Sequence, residues 1–159
     1  MTSGEVVAVC VSAEKHVQKE EVEEVLLVED LGIRGDAHAG FGHRQVSLLA
    51  EESVDKMRAM GLEGLRPGAF GENLLTRGLE LTRLKVGDRL RVGKDILLEV
   101  TQIGKECVER CAIYYAAGDC IMPREGIFAR VLKGGTAKAG DRIEVLEEGP
   151  REREAEEEK

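Results

Sequence analysis

Nineteen glycines cut the apolar part of this 159-residue chain into runs too short for anything but strands and short helices. Val6 to Val11 is a β-branched run, Val22 to Val28 is a second, and Arg44 to Leu49 is a short third. Asp88 to Val92 alternates, with Leu90 and Val92 on one face and Arg89 and Arg91 on the other. Ile96, Leu98 and Val100 alternate likewise after the Gly93-Lys94-Asp95 turn, so the two segments read as a hairpin. Gly126 to Leu132 fits a strand or a short helix, and Asp141 to Leu146 is a last strand with Ile143 and Val145 inward. One helix is clear: Ala50, Val54 and Met57 fall at helical spacing, Glu51 and Glu52 suit the first turn, and Gly61 can close it. A second helix is expected from Val108 to Ala117. Short strands with glycine between them predict a mainly β (α+β) chain whose sheet coils or closes, because glycine permits the bends and bulges that closure needs.

Length and charge narrow the function. A chain of this size makes one domain and can bury a full core. Residues 1–147 are expected to form it. The net charge is -8, and the segment from Glu147 to Lys159 carries seven acids and three bases. Residues 148–159 are therefore expected to be an acidic, disordered tail. No apolar run approaches the roughly 20 residues of a membrane span. The N-terminus has no basic region followed by an apolar stretch, so no secretory signal is read and a cytoplasmic location is expected. In that compartment cysteines serve as thiols, metal ligands or catalytic groups rather than structural disulfides. An acidic chain with five aromatics is poorly suited to nucleic acid. Neither a nucleic-acid nor a membrane partner is expected.

Three segments carry chemistry. The densest runs Gly104-Lys-Glu-Cys107-Val-Glu-Arg-Cys111 and on to Gly118-Asp-Cys120-Ile-Met-Pro-Arg124, with three of the four cysteines in 14 residues. If Cys107 to Ala117 is helical, Cys107 and Cys111 share a face. Lys105, Arg110 and Arg124 are cationic neighbours of the kind that raise a thiol's thiolate fraction. Such a thiolate can attack, carry a sulfane sulfur or ligate a soft metal. Three cysteines with His38 or His43 can also complete a tetrahedral zinc site, although C-x3-C-x8-C is no standard zinc spacing. Cys10, inside an apolar strand, reads as a core residue.

The second segment, Gly35 to Val46, is glycine-rich and holds His38, His43 and Arg44. Its backbone N–H groups and Arg44 can meet an anionic or polar ligand. The third, Pro67 to Leu74, places Glu72-Asn73 between a glycine turn and a strand, where the pair binds a ligand or ties the loop to itself. A Gly-Asp turn recurs at Asp36, Asp88 and Asp141. Asp88 and Asp141 read as residues that tie a turn before a strand starts.

In order and spacing these pieces resemble a MOSC domain, named for the molybdenum cofactor sulfurase C-terminal region. The matching segments are Gly35-Asp36-Ala37-His38, His43 to Leu48, Pro67 to Leu74, Leu84 to Leu90, Val100 to Gln102 running into Cys107, and Gly126 to Val131 through Asp141. The resemblance implies a distorted β-barrel with a few helices. It implies that Cys107 corresponds to the family's characteristic cysteine, which carries sulfur or meets the molybdenum of a bound pterin cofactor, molybdopterin. Many members have a proline just before that cysteine, where this chain has Lys105-Glu106. The added Cys111 and Cys120 permit a persulfide on one thiol to be resolved by a second as a disulfide.

The reading that follows from the resemblance is a molybdenum-cofactor-associated protein that binds the pterin cofactor, carries sulfur as a Cys107 persulfide, or does both. Cys107, Cys111 and Cys120 are the candidate catalytic residues, with Cys107 also the candidate metal ligand. Arg44 and Arg124 would contact the anionic cofactor, and His38, His43, Glu72 and Asn73 would line its cleft. A cysteine desulfurase or a molybdenum cofactor synthesis enzyme is the implied partner. Two alternatives stand beside it. One is a molybdenum-dependent reductase of N-hydroxylated compounds. The other is a non-catalytic module, zinc-stabilised in one version, that partners a cofactor synthesis enzyme.

Overall fold

The computed structural model describes residues 3–15, 17–40, 42–104, 121 and 125–147. Seven strands close into a barrel. They are β1 (Ser3–Val11), β5 (Val46–Ala50), β6 (Leu74–Arg77), β7 (Arg89–Val92), β8 (Ile96–Ile103), β9 (Ile127–Lys133) and β11 (Arg142–Glu147). Around the ring the order is β1-β11-β7-β8-β9-β5-β6, and β6 returns to β1. Every seam is antiparallel except β5–β6, which is parallel. A parallel neighbour cannot be reached by a tight turn, so the chain must leave the sheet and come back. It does so through helix α1 (Glu51–Ala59) and the loop that ends at Gly71. The short β2 (Glu20–Val22) extends β1. A second sheet holds β3 (Glu24–Val28), β4 (Gly32–Ile33) and β10 (Gly135–Lys138) in the order β10-β3-β4.

Alternation along the strands separates two apolar clusters. Leu48 and Leu74 point into the barrel with Val6, Leu90, Leu98 and Ile127. Leu49 and Leu75 point outward, where they meet Val54 and Met57 of α1, Leu65, Phe70, Cys10 and Phe128. This is why β5 is buried at every position: its two faces serve different clusters. Cys10 has no exposed surface, and burial pushes its thiol well above the ordinary range, with Glu72 and Glu21 adding to the shift. It is the core residue the sequence suggests.

The Val22 to Val28 run divides at Glu23, sending β2 to the barrel and β3 to the second sheet. Gly126 to Leu132 is resolved in favour of the strand, as β9. The hairpin of β7 and β8 pairs Leu90 with Leu98. Asp88 accepts from the backbone N–H of Lys85 at 2.8 Å and Asp141 from that of Lys138 at 3.0 Å, so both tie their turns as expected. The expected helix from Val108 to Ala117 and the acidic segment 148–159 lie outside the described residues.

Candidate functional site

A bulge sets the site. Along β8, Val100 pairs with Ala129 and Gln102 with Phe128, so two residues of β8 advance against one of β9. Val100 faces the barrel interior. Without the extra residue, Gln102 would face it too; the bulge turns Gln102 onto the outer face beside Phe128. Ser47 of β5 pairs with Phe128 from the other side. Gln102, Phe128 and Ser47 therefore form a row across three neighbouring strands.

Arg44 ends the 3-10 turn Gly42–Arg44, just before β5. Its Nε donates to Gln102 Oε1 at 2.9 Å, and its guanidinium stacks over the Phe128 ring at 5.5 Å from the centroid. Gln102 in turn donates to the Gly104 carbonyl at 2.8 Å. Among the described residues, Arg44 is engaged through Nε and the ring face. The His38 ring meets the same ring edge-on, with centroids 6.2 Å apart.

The loop that carries His38 is sewn down by Asp36. This carboxylate has no exposed surface. Its Oδ1 accepts from Ser12 N at 3.0 Å and from the Lys19 ammonium at 2.9 Å, and its Oδ2 accepts from His38 N at 3.0 Å. Lys19 is itself buried, with 2% of its side chain exposed, and its ammonium also donates to Ser12 Oγ at 3.0 Å. Ala37 N donates to Ser12 O at 2.8 Å, tying the loop to the end of β1. Burial pushes the Asp36 carboxyl up, but His38 and the Lys19 charge outweigh it and hold the group well below the usual carboxylate range. His38 Nδ1 is buried and stands 3.4 Å from Asp36 Oδ2, too long for a well-formed hydrogen bond.

Glu72 and Asn73 are placed differently. The Glu72 carboxylate is buried and accepts from Gly68 N at 2.7 Å and Phe70 N at 3.1 Å. Burial pushes its carboxyl up to about 7, against the pull of those backbone donors. Asn73 Oδ1 accepts from Ser47 N at 3.0 Å and its Nδ2 donates to Cys10 O at 3.0 Å. Glu72 ties the loop to itself, and Asn73 ties it to β5 and to β1. Of the expected site residues, the structure brings His38 and Arg44 to one ring, Phe128, while Glu72 and Asn73 bond within their loop and to the neighbouring strands. Cys107, Cys111, Cys120, Arg124 and the side chain of His43 lie outside the described residues. Gln102, Phe128, Asp36 and Lys19 join the site although none was a candidate. Asp36 carried a signal, two residues before His38 on a glycine turn. Lys19 carried none, since Gln18-Lys19-Glu20-Glu21 reads as a solvated charge run.

No three His, Cys, Asp or Glu side chains gather for a metal ion among the described residues, and no helix among them is long and apolar enough to cross a membrane. A curated relative, a protein named "Reductase" from Gibberella moniliformis, is 32% identical over 127 residues. That match spans 73% of this chain and 23% of the relative, so the chain covers about a quarter of that protein's length. The YuaD protein from Bacillus subtilis superposes with a TM-score of 0.76 at 20% identity, over 90% of this chain and 95% of that one. YiiM from Geobacillus stearothermophilus gives 0.68 at 20% identity, over 91% and 75%. YiiM from Escherichia coli gives 0.63 at 24% identity, over 91% and 70%. These share the fold. The family model of the MOSC domain matches residues 34–144, a span that includes His38, Arg44, Gln102 and Phe128. By that match, over most of its length, the chain belongs to the MOSC domain family.

Proposed function

We propose that this protein binds an anionic pterin–molybdenum cofactor beside Arg44 and that Cys107 serves it as a metal ligand or sulfur carrier. The observation that carries the reading is the Arg44 guanidinium, held by Gln102 through Nε and stacked over the Phe128 ring. An arginine clamped in this way offers paired donors to a phosphate or carboxylate at little further entropic cost. The ring of His38 also meets Phe128, edge-on. Cys107 follows Gly104 by three residues, so covalent geometry keeps its Cα within about 11 Å of the residue that Gln102 bonds.

When bound, the cofactor supplies a metal centre that exchanges electron pairs with a substrate or accepts sulfur. The chain's own residues do the rest. Arg44 binds and orients the anion, Phe128 closes the floor against water, and His38 holds or accepts a proton at its ring edge. In the sulfur-carrier version the Cys107 thiolate attacks the outer sulfur of a donor persulfide, forming an S–S bond and releasing the donor thiolate. Cys111 and Cys120 supply the resolving thiols, and Arg124 adds a second cation for the anion.

The test is expression with cofactor synthesis intact, followed by assay of molybdenum and pterin in the purified protein. Retention is expected, with at least a tenfold loss on Arg44→Ala. A chain that holds neither metal nor pterin, and gains no sulfur on Cys107 from a persulfide donor, overturns the reading. The relative named "Reductase" favours a second version, in which the bound cofactor reduces an N-hydroxylated compound with electrons from a redox partner. Its mark is turnover of such a substrate, abolished by Cys107→Ser.

A further inference from the structure

Asp36 is too deeply engaged to be a simple turn residue. Asp88 and Asp141 close the same kind of Gly-Asp turn by bonding a backbone N–H three residues back. Asp36 sends Oδ1 to two elements distant in sequence and Oδ2 to the residue that reaches Phe128. Lys19 and Ser12 donate to Oδ1 and cannot turn away, because Lys19 is anchored by its own backbone: Lys19 N donates to Gly68 O at 2.9 Å, and Lys19 O accepts from Arg66 at 2.9 Å. The carboxylate is therefore clamped from behind, with Oδ2 presented to His38.

His38 Nδ1 is a buried polar atom with no hydrogen-bond partner, and the polar atom facing it is Asp36 Oδ2 at 3.4 Å. Two neutral tautomers are available to the ring. With the proton on Nε2, the Nδ1 lone pair would point at an ionised carboxylate in a place shut off from water, which is repulsive. With the proton on Nδ1, the N–H dipole points at the negative charge, and a small closing of the 3.4 Å gap makes a charge-assisted bond. The side chain is 20% exposed while Nδ1 is buried, so its accessible part is the edge away from Nδ1.

We infer that Asp36, clamped by Lys19 and Ser12, is a positioning residue that holds His38 as the Nδ1–H tautomer, so that Nε2 offers a lone pair to a ligand beside Arg44. The site then presents donors from Arg44 and an acceptor from His38. It suits an anion that also carries an N–H or O–H group. The ligand half of this inference rests on the cofactor reading above; the tautomer half does not.

The experiment uses the full chain labelled with 15N and long-range 1H–15N spectra of the imidazoles at about pH 8, above the ordinary histidine range. His38→Gln identifies the resonance among the three histidines. The expected result is a proton on Nδ1 and an acceptor-type Nε2. The Nε2–H form, which free imidazole side chains favour in water, would overturn the inference. Asp36→Asn should return His38 to that form while the remaining amide spectrum stays folded; if the variant does not fold, the wild-type tautomer alone decides. On loading with purified pterin cofactor, the Nε2 resonance should move upfield, as a lone pair does on accepting a hydrogen bond. An unmoved resonance in a chain that retains cofactor removes His38 from the ligand's contacts. A chain that binds no cofactor but shows the Nδ1–H form leaves the positioning role intact and counts only against the function proposed above.

Discussion

Replacing Lys19 by Met removes the ammonium and keeps a straight apolar stem of similar length. What remains is the Asp36 carboxylate, fully buried, with Ser12 N and His38 N as its donors. Breaking a buried ion pair by removing one partner costs about 3–5 kcal/mol, because the surviving charge is left uncompensated in low dielectric. Two N–H donors still face the carboxylate, so the expected cost lies at the lower end, about 3 kcal/mol. With an m-value of about 2 kcal/mol/M, the urea midpoint should fall by about 1.5 M at neutral pH. Asp36→Asn should cost a comparable amount, since it leaves the ammonium buried without its anion. The double variant should cost at least about 2 kcal/mol less than the sum, because it removes both charges. The pH dependence has a definite sign. The Asp36 carboxyl is held below its ordinary value of 3.8, so its contribution is present above that pH and is lost as pH falls through the folded value. The gap between wild type and Lys19→Met should therefore close in acid below about pH 4. A single-variant cost under about 1 kcal/mol, or additive losses, would refute the reasoning and reduce the pair to a surface-like contact.

Glu72 should show the opposite pH dependence. Its carboxyl is raised from 4.5 to about 7 by burial, so the folded chain holds that proton more tightly than the unfolded one, and its contribution declines as pH rises across that window. At about 1.36 kcal/mol per unit the decline is about 3 kcal/mol. Urea unfolding of wild type against Glu72→Gln should show the difference falling with pH, and a difference that grows would mean the Gly68 and Phe70 donors outweigh desolvation. Gly68→Ala should be far worse than Gly64→Ala. Both glycines have positive φ, but a Cβ on Gly68 would lie 2.2 Å from Lys19 O, whereas on Gly64 it meets nothing within 4 Å. Thermal unfolding should show about 1–2 kcal/mol lost at Gly64 and a poorly folded chain at Gly68. Asn73→Ala leaves Ser47 N and Cys10 O without their partners in a buried place and should cost about 3 kcal/mol, read from the same denaturant curves.

The strands that alternate or carry β-branched runs were legible from the chain alone, because burial on one or both faces imposes that pattern. Leu90 and Val92 against Leu98 and Val100 is the clearest case, and α1 shows itself through Val54 and Met57. Two short strands were not legible. Gly32–Ile33 and Gly135–Lys138 carry too few side chains to show a period, and their pairing with Glu24–Val28 is decided by the neighbours they find. The break at Glu23 was hidden for a similar reason. Glu23 and Glu24 fit the exposed face of one continuous strand as well as they fit a break, so nothing local marks where one sheet ends and the other starts.

The site divides along the same line. His38 and Arg44 stood out because a glycine-rich loop with backbone N–H groups, histidine and arginine has the chemistry to meet an anionic or polar ligand. Gln102 and Phe128 did not stand out, because what brings them to Arg44 is a register shift. A count of alternate residues along β8 puts Gln102 inside the barrel with Val100, and only the bulge at Thr101 turns it outward to Arg44. Lys19 was hidden more deeply. Its neighbours in the chain are polar, its charge is ordinary, and its partner Asp36 lies 17 residues away. A buried lysine is stable only if a carboxylate is held against it, and a carboxylate is held against it only if β1, the Lys19 segment and the Gly35–Asp36 turn already meet. The pair is thus a consequence of the fold that then becomes a condition for the site, since Asp36 cannot aim His38 unless Lys19 and Ser12 hold its other oxygen. For this chain, candidates for ligand contact can be nominated from their chemistry, while the residues that fix their positions have to be found from what is buried behind them.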